Sequence, residues 1–185
     1  IPGTLGIIQD YSVWNIKMKP QHYPCLNMKQ YLNTRRLKST LNFLSITLSE
    51  LSDKVICKIK GDSSIVLLLD ALNEHGLAEQ RRIFIKLINA KIDVPIIISR
   101  RYKGLSVSVL QLYSSIDIGG LLIDGLGNGI YLTARDYVPL DDINRTSFGI
   151  LQATRTRITK TEYISCPSCG RTQFNLQETT AMVRE

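Results

Sequence analysis

The chain has 185 residues, of which 44% are hydrophobic, and a formal net charge of +7. That composition excludes a disordered segment and supplies core for one domain or one and a half. The longest apolar runs, Ile65 to Leu69 and Ile116 to Ile123, are too short, and the second too broken by Asp117 and Gly119-Gly120, to cross a bilayer, and the N-terminus has no signal-peptide pattern.

In chain order, residues 1–24 mix Pro2, Gly3, Pro20 and Pro24 with scattered apolar residues and read as mostly irregular. Residues 26–51 carry Leu37, Leu41, Leu44 and Leu48 at helical spacing, and Val55 to Ile59 alternates as a strand does. Gly61-Asp62-Ser63-Ser64 forms a turn into Ile65 to Leu72, a run that periodicity leaves open between strand and helix. Leu77 to Ala90 is an amphipathic helix ending near Asn89, with Ile83, Phe84, Leu87 and Ile88 on its apolar face. Val94 to Ser99 has the β-branched composition of a strand buried on both faces of a parallel sheet.

Leu105 to Leu122 is helical in spacing, and Asp124-Gly-Leu-Gly-Asn-Gly129 breaks it ahead of an extended Ile130 to Thr133. Asp141 to Thr156 is a further helix, Glu162 to Ser165 a short strand, and Asn175 with Glu178 a capping box for a last helix. Strand–helix alternation with buried β-branched strands predicts an α/β fold, barrel-like or doubly wound. A start at Ile1 rather than Met, and an end at Glu185 inside a helical pattern, read as a piece of a longer polypeptide.

The chemistry-bearing stretch is Ser-Cys-Pro-Ser-Cys-Gly, in which Cys166 and Cys169 can turn two thiolates toward one ion. Four readings apply: half a zinc ribbon, a redox dithiol, part of an iron-sulfur site, or an incidental pair. A zinc ribbon wants a second pair, whereas Cys25, Cys57, His22 and His75 are isolated; a thioredoxin-type dithiol belongs after the first strand, not near the end. An iron-sulfur site completed by ligands beyond Glu185 fits the spacing best. The glycine-rich 124–129 stretch lacks the Lys-Ser/Thr and the immediate helix of a phosphate loop, and reads as a helix-to-strand turn. His75 reads as a helix-end residue. The basic clusters Arg35-Arg36-Lys38, Arg81-Arg82, Arg100-Arg101-Lys103 and Arg155-Arg157-Lys160 lack interleaved aromatics and read as solvated faces, not a nucleic-acid footprint.

Three segments carry a family resemblance: Leu-Leu-Ile-Asp-Gly-Leu-Gly-Asn-Gly, Thr-Ser-Phe-Gly-Ile-Leu-Gln-Ala-Thr-Arg-Thr-Arg, and Thr-Lys-Thr-Glu-Tyr-Ile-Ser-Cys-Pro-Ser-Cys-Gly-Arg-Thr-Gln-Phe-Asn-Leu-Gln-Glu. Residues 120–185 resemble the long, plastid-type form of 4-hydroxy-3-methylbut-2-enyl diphosphate synthase, Val94 to Ser99 weakly so, and residues 1–90 hardly at all. The resemblance implies a barrel-like α/β inserted domain over residues 1–157, followed at 158–185 by the start of an α+β domain that holds a [4Fe-4S] cluster. It implies Cys166 and Cys169 as two cluster ligands, with a third cysteine and a glutamate in a later segment. The implied reaction is the two-electron reductive opening of 2-C-methyl-D-erythritol 2,4-cyclodiphosphate, bound by a separate barrel that this chain lacks. A ferredoxin-type donor, a plastid location and a homodimer among the allowed assemblies come with the resemblance, and neither nucleic acid nor a membrane does. The family commonly has Asp at Asn128 and Leu at Gln173. The alternative is a zinc-binding interaction module in which dimerisation, or Cys25 and Cys57, completes the site.

Overall fold

The computed structural model describes residues 6–15, 17, 21–34, 37, 39–162 and 174–184. Six strands, β1 (Ile7–Asp10), β2 (His22–Leu26), β3 (Asn42–Ile46), β4 (Ile65–Leu69), β5 (Ile96–Lys103) and β6 (Gly129–Arg135), form one sheet. Every neighbouring pair is parallel, and the strands lie side by side in the order in which they occur along the chain. A doubly wound sheet reverses its order at a switch point, and this one does not. Of the two layouts that the alternation allows, the chain therefore adopts the barrel-like one, a curled half-barrel.

Helices α1 (Met28–Asn33), α2 (Asp53–Lys60), α3 (Leu77–Asn89), α4 (Val107–Ser114), α5 (Gly120–Ile123) and α6 (Leu140–Ala153) alternate with the strands from β2 onward. A π-helical turn, Ser115–Gly119, joins α4 to α5. Strand side chains alternate between faces. Leu44, Ile46, Leu67, Leu69, Ile98 and Leu132 meet Val55, Ile59, Ile83, Phe84, Leu87 and Ile143 from the helices in the main core. The opposite, concave face holds a smaller cluster of Phe43, Val66 and Leu68, flanked by Tyr23, Cys25 and Ile97. Strand β4 is buried along its whole length because it lies between both clusters, which explains its unbroken apolar sequence.

Two expected elements come out differently. Residues 26–51 do not form one helix: α1 is a short helix closed by a reciprocal Asn27–Gln30 capping box, and Asn42–Ile46 is strand β3. Leu44 and Leu48 share a helical spacing, but Leu44 and Ile46 also share one side of a strand, and pairing with β2 and β4 decides in favour of the strand. Residues 55–59 form helix α2 instead of a strand. Val55 and Ile59, four apart, are its buried face, with Asp53 in the first turn and Lys58 and Lys60 in the last, where they complement the helix dipole. The N-terminal 1–24 region, expected to be irregular, contributes β1 and part of β2. In α3, Ile88 is 58% exposed and the buried Gln80 takes part in the inward face instead.

Leu77–Asn89, the strand from Ile96, the helical run from Val107 and the helix from Leu140 lie where the spacing predicts them. The glycine-rich 124–129 stretch is the helix-to-strand turn, with Gly125 at φ +74 and Gly127 at φ +94. Strand β6 follows at once, where a phosphate loop requires a helix. A Cβ on Gly125 meets open space, whereas one on Gly127 falls 3.0 Å from Ile98 Cδ1. Gly125→Ala is therefore expected to cost about 1 kcal/mol and Gly127→Ala measurably more, since the latter adds crowding to the left-handed strain. Denaturant midpoints of the two variants check the order.

The Glu162 to Ser165 strand falls largely outside the described residues. Beyond them, α7 (Leu176–Arg184) begins under Asn175, whose Oδ1 accepts from the Gln177 and Glu178 backbone amides at 3.1 and 3.4 Å.

Candidate functional site

Cys166 and Cys169 lie outside the described residues, so their site is defined by chemistry and by the chain that leads to it. As a donor set they are two thiolates, soft ligands suited to iron-sulfur clusters or zinc, and they fill half of a four-ligand site. Among the described residues, no group of three or more His, Cys, Asp or Glu could hold a metal ion. Cys25 and Cys57 cannot jointly complete the pair. Cys25 belongs to the concave face, whereas Cys57 is exposed on α2, which packs on the opposite face. Burial pushes the Cys25 thiol above its ordinary value, with Asp10 adding to the effect, so it stays protonated.

The chain reaches Cys166 through residues 154–162, which turn back along α6. The turn is made at Arg155, whose φ is +61, and continues with an Arg157 amide bond to Leu151 O at 3.1 Å. Gln152 in the last turn of α6 then takes hold of the returning strand of chain. Its Oε1 accepts from the Thr159 and Lys160 amides at 3.2 and 3.0 Å, and its Nε2 donates to Lys160 O at 2.9 Å. Arg155 pairs with Glu162 at 3.2 Å, and the Arg157 guanidinium lies 5.8 Å from the Phe148 ring centre. Between α6 and this segment runs an open groove of about 760 Å³, lined in part by Asn144, Phe148, Gly149 and Arg157.

The C-terminal ends of the parallel strands, where barrel enzymes keep their catalytic groups, carry a second polar constellation. Asp70, directly after β4, accepts from Ser45 Oγ of β3 at 2.8 Å and from Ser99 Oγ of β5, and pairs with Arg101 at 2.7 Å. Its carboxylate is satisfied by these three donors and ties three strands together across the concave face. Nothing in the sequence singled out Asp70 except its place at the end of an apolar run.

The arginine cluster 100–103 splits by strand alternation. Arg101 is solvated, as expected of the cluster, but Arg100 faces the helix layer and is 3% exposed. It pairs with Asp117 of the π turn at 2.9 Å, and Tyr102 donates to the same carboxylate at 2.8 Å. Its Nε donates to the Tyr102 hydroxyl at 3.4 Å, and its Nη1 and Nη2 also donate to Asn73 O and Glu74 O in the loop before α3. His75, next in that loop and just ahead of α3, packs edge-on to Tyr113 at 5.3 Å. Asn128, where the resemblance implies Asp, receives the Ile96 amide at 2.8 Å on its side-chain oxygen and donates its own backbone amide to Ile96 O at 2.7 Å. An aspartate would accept the same bond.

Comparison with known proteins decides the family. Over all 185 residues the chain is 38% identical to the 4-hydroxy-3-methylbut-2-en-1-yl diphosphate synthase (flavodoxin) of Parabacteroides distasonis, covering 30% of that protein. The chain belongs to the 4-hydroxy-3-methylbut-2-en-1-yl diphosphate synthase family. It is also 41% identical over 155 residues, 84% of its length and 26% of the relative's, to the flavodoxin-named synthase of Porphyromonas gingivalis. To the ferredoxin-named, chloroplastic synthase of Arabidopsis thaliana it is 45% identical over 106 residues, 57% of its length and 14% of the relative's. The chain thus spans about a third or less of the curated family members it matches. The match to the Parabacteroides protein includes the first 90 residues, which the motif-level resemblance hardly reached. No protein-family profile matches the chain, and no solved structure matches it.

Proposed function

We propose that the chain works as part of an iron-sulfur oxidoreductase of isoprenoid precursor synthesis, converting 2-C-methyl-D-erythritol 2,4-cyclodiphosphate to 4-hydroxy-3-methylbut-2-enyl diphosphate. The observation that carries the reading is the 38% identity, over all 185 residues of this chain and 30% of the relative, to a synthase of that name, in a chain that also contains Cys166-Pro-Ser-Cys169. In this reading residues 1–157 form the barrel-like inserted domain, and residues 158–185 begin the cluster domain. The fold supports a boundary there, because α6 ends at Ala153 and the chain reverses at Arg155.

Cys166 and Cys169 would hold two irons of a [4Fe-4S] cluster as thiolates, with further ligands from the polypeptide beyond this segment. When bound, such a cluster would supply electrons to the substrate one at a time. The residues of this chain hold and aim. The hydrogen-bonded Asp70 and Arg100–Asp117 networks fix the strands and the helix layer, and α6 with residues 154–162 presents the segment that bears the thiolates. The electron donor is a small redox protein: the relatives' names carry flavodoxin or ferredoxin. For the ferredoxin-type donor and a plastid location, the support is the chloroplastic relative over 57% of the chain; the flavodoxin-named bacterial relatives match up to its whole length. A homodimer stays part of the proposal.

The test is turnover. The complete polypeptide, loaded anaerobically with iron and sulfide and given a strong one-electron reductant, is expected to consume the cyclic diphosphate and release the open allylic diphosphate. A cluster-loaded protein that leaves this substrate untouched would refute the reading.

A further inference from the structure

We propose that Gln152 is a positioning residue, whose side-chain amide clamps residues 159–160 and so sets the direction in which the polypeptide runs on to Cys166 and Cys169. The inference rests on the cluster-ligand reading of those two cysteines.

The argument starts from what does not hold the segment. Arg155 to Glu162 are all solvent-exposed, and an open groove separates part of the segment from α6, so burial of apolar surface fixes little of its course. The Arg155–Glu162 pair is solvated, with side chains 62% and 32% exposed, and such pairs contribute little. The Arg157 amide bond to Leu151 O and the Arg157–Phe148 contact hold the turn itself; at residues 159–160, beyond the turn, the hold is the Gln152 amide, which uses both its ends. Oε1 receives the two consecutive amides of Thr159 and Lys160, and Nε2 binds the carbonyl of Lys160. One planar group thus meets both the donors and the acceptor of a short stretch of backbone, which fixes its direction as well as its distance.

The side chain that does this projects from the last turn of α6, a helix anchored in the main core by Ile143 and Ile150. Lys160 precedes Cys166 by six residues, a span of at most about 20 Å. The place where residue 160 is held therefore bounds the space that the thiolates can reach. Catalytic groups have to be held to roughly 0.5 Å, so a freed exit displaces the cluster relative to a substrate bound elsewhere without removing either ligand.

The experiment uses the complete polypeptide, anaerobically loaded, as wild type, Gln152→Ala and Gln152→Met. Methionine keeps the length and shape of glutamine and removes its hydrogen bonds. Both variants are expected to bind cluster as wild type does and to show the same cluster absorption. Their kcat is expected to fall about 10-fold while KM for the cyclic diphosphate stays within about twofold, as for a group misplaced relative to bound substrate. Hydrogen exchange at the Thr159 and Lys160 amides is expected to quicken by about 10-fold or more in both. Gln152→Met with wild-type kcat would overturn the proposal, as would a loss of cluster content in step with kcat. A wild-type polypeptide that binds no cluster would refute the cluster reading and this inference together; a loaded, active wild type with indifferent variants would refute the clamp alone.

Discussion

Asp117→Leu is expected to lower the thermal midpoint of the protein by on the order of 10 °C. Arg100 and Asp117 have side chains 3% and 2% exposed, so the substitution leaves a guanidinium buried without its counter-charge. Breaking a buried pair in this way costs about 3–5 kcal/mol, and each kcal/mol moves the midpoint of a chain of this size by about 2–4 °C. The double variant Arg100→Met with Asp117→Leu is expected to recover most of that loss, since it removes both charges and fills the space with apolar atoms. A double variant as unstable as the sum of its singles would show that the two side chains act independently.

The same network gives a pH dependence. Burial pushes the Tyr102 phenol from its ordinary 10.0 up to about 12, with its bond to Asp117 as a further cause. A pKa that is higher in the folded than in the unfolded state means the stabilisation is complete below pH 10 and is lost as the pH rises toward about 12. Tyr102→Phe is expected to flatten stability over that window. Denaturant unfolding at pH 9 and pH 11 reads the difference.

Cys166→Ser is expected to abolish turnover of the complete polypeptide while the barrel-like part keeps its thermal midpoint. An alkoxide is a poor substitute for thiolate on iron, and losing a direct ligand exceeds the roughly 10–100-fold effect of losing a group that merely orients one. Iron and acid-labile sulfide are expected to fall with activity. Cys57→Ser serves as the control, since Cys57 is exposed on α2 and packs against nothing in the core. Full activity in Cys166→Ser would end its assignment as a ligand.

Sequence reading reached the α/β class and most elements after residue 65, because those segments have one dominant period. Helix α3 repeats its apolar residues at three and four, and β5 opens on a β-branched run, whereas the apolar run that forms β4 fitted strand and helix alike until β3 and β5 paired with it. It failed between residues 26 and 60 for a definable reason. A pair of apolar residues four apart fits a helix face and one side of a strand equally well, so Leu44 with Leu48, and Val55 with Ile59, each carried two readings. Neighbouring strands resolved the first and terminal charges the second. The thiolate pair was legible because two cysteines three apart are rare and specific. The groups that surround it were not. Asp70, Asp117 and Gln152 acquire partners 25, 17 and 8 residues away in sequence, and no local pattern marks a carboxylate or amide for such a meeting.

The most direct test of the central claim is metal and acid-labile sulfide content after anaerobic reconstitution of the complete polypeptide with iron, zinc and sulfide present together. The account predicts about four iron and about four sulfide per chain, with zinc near zero. Zinc bound without sulfide would contradict it and make Cys166 and Cys169 half of a structural site.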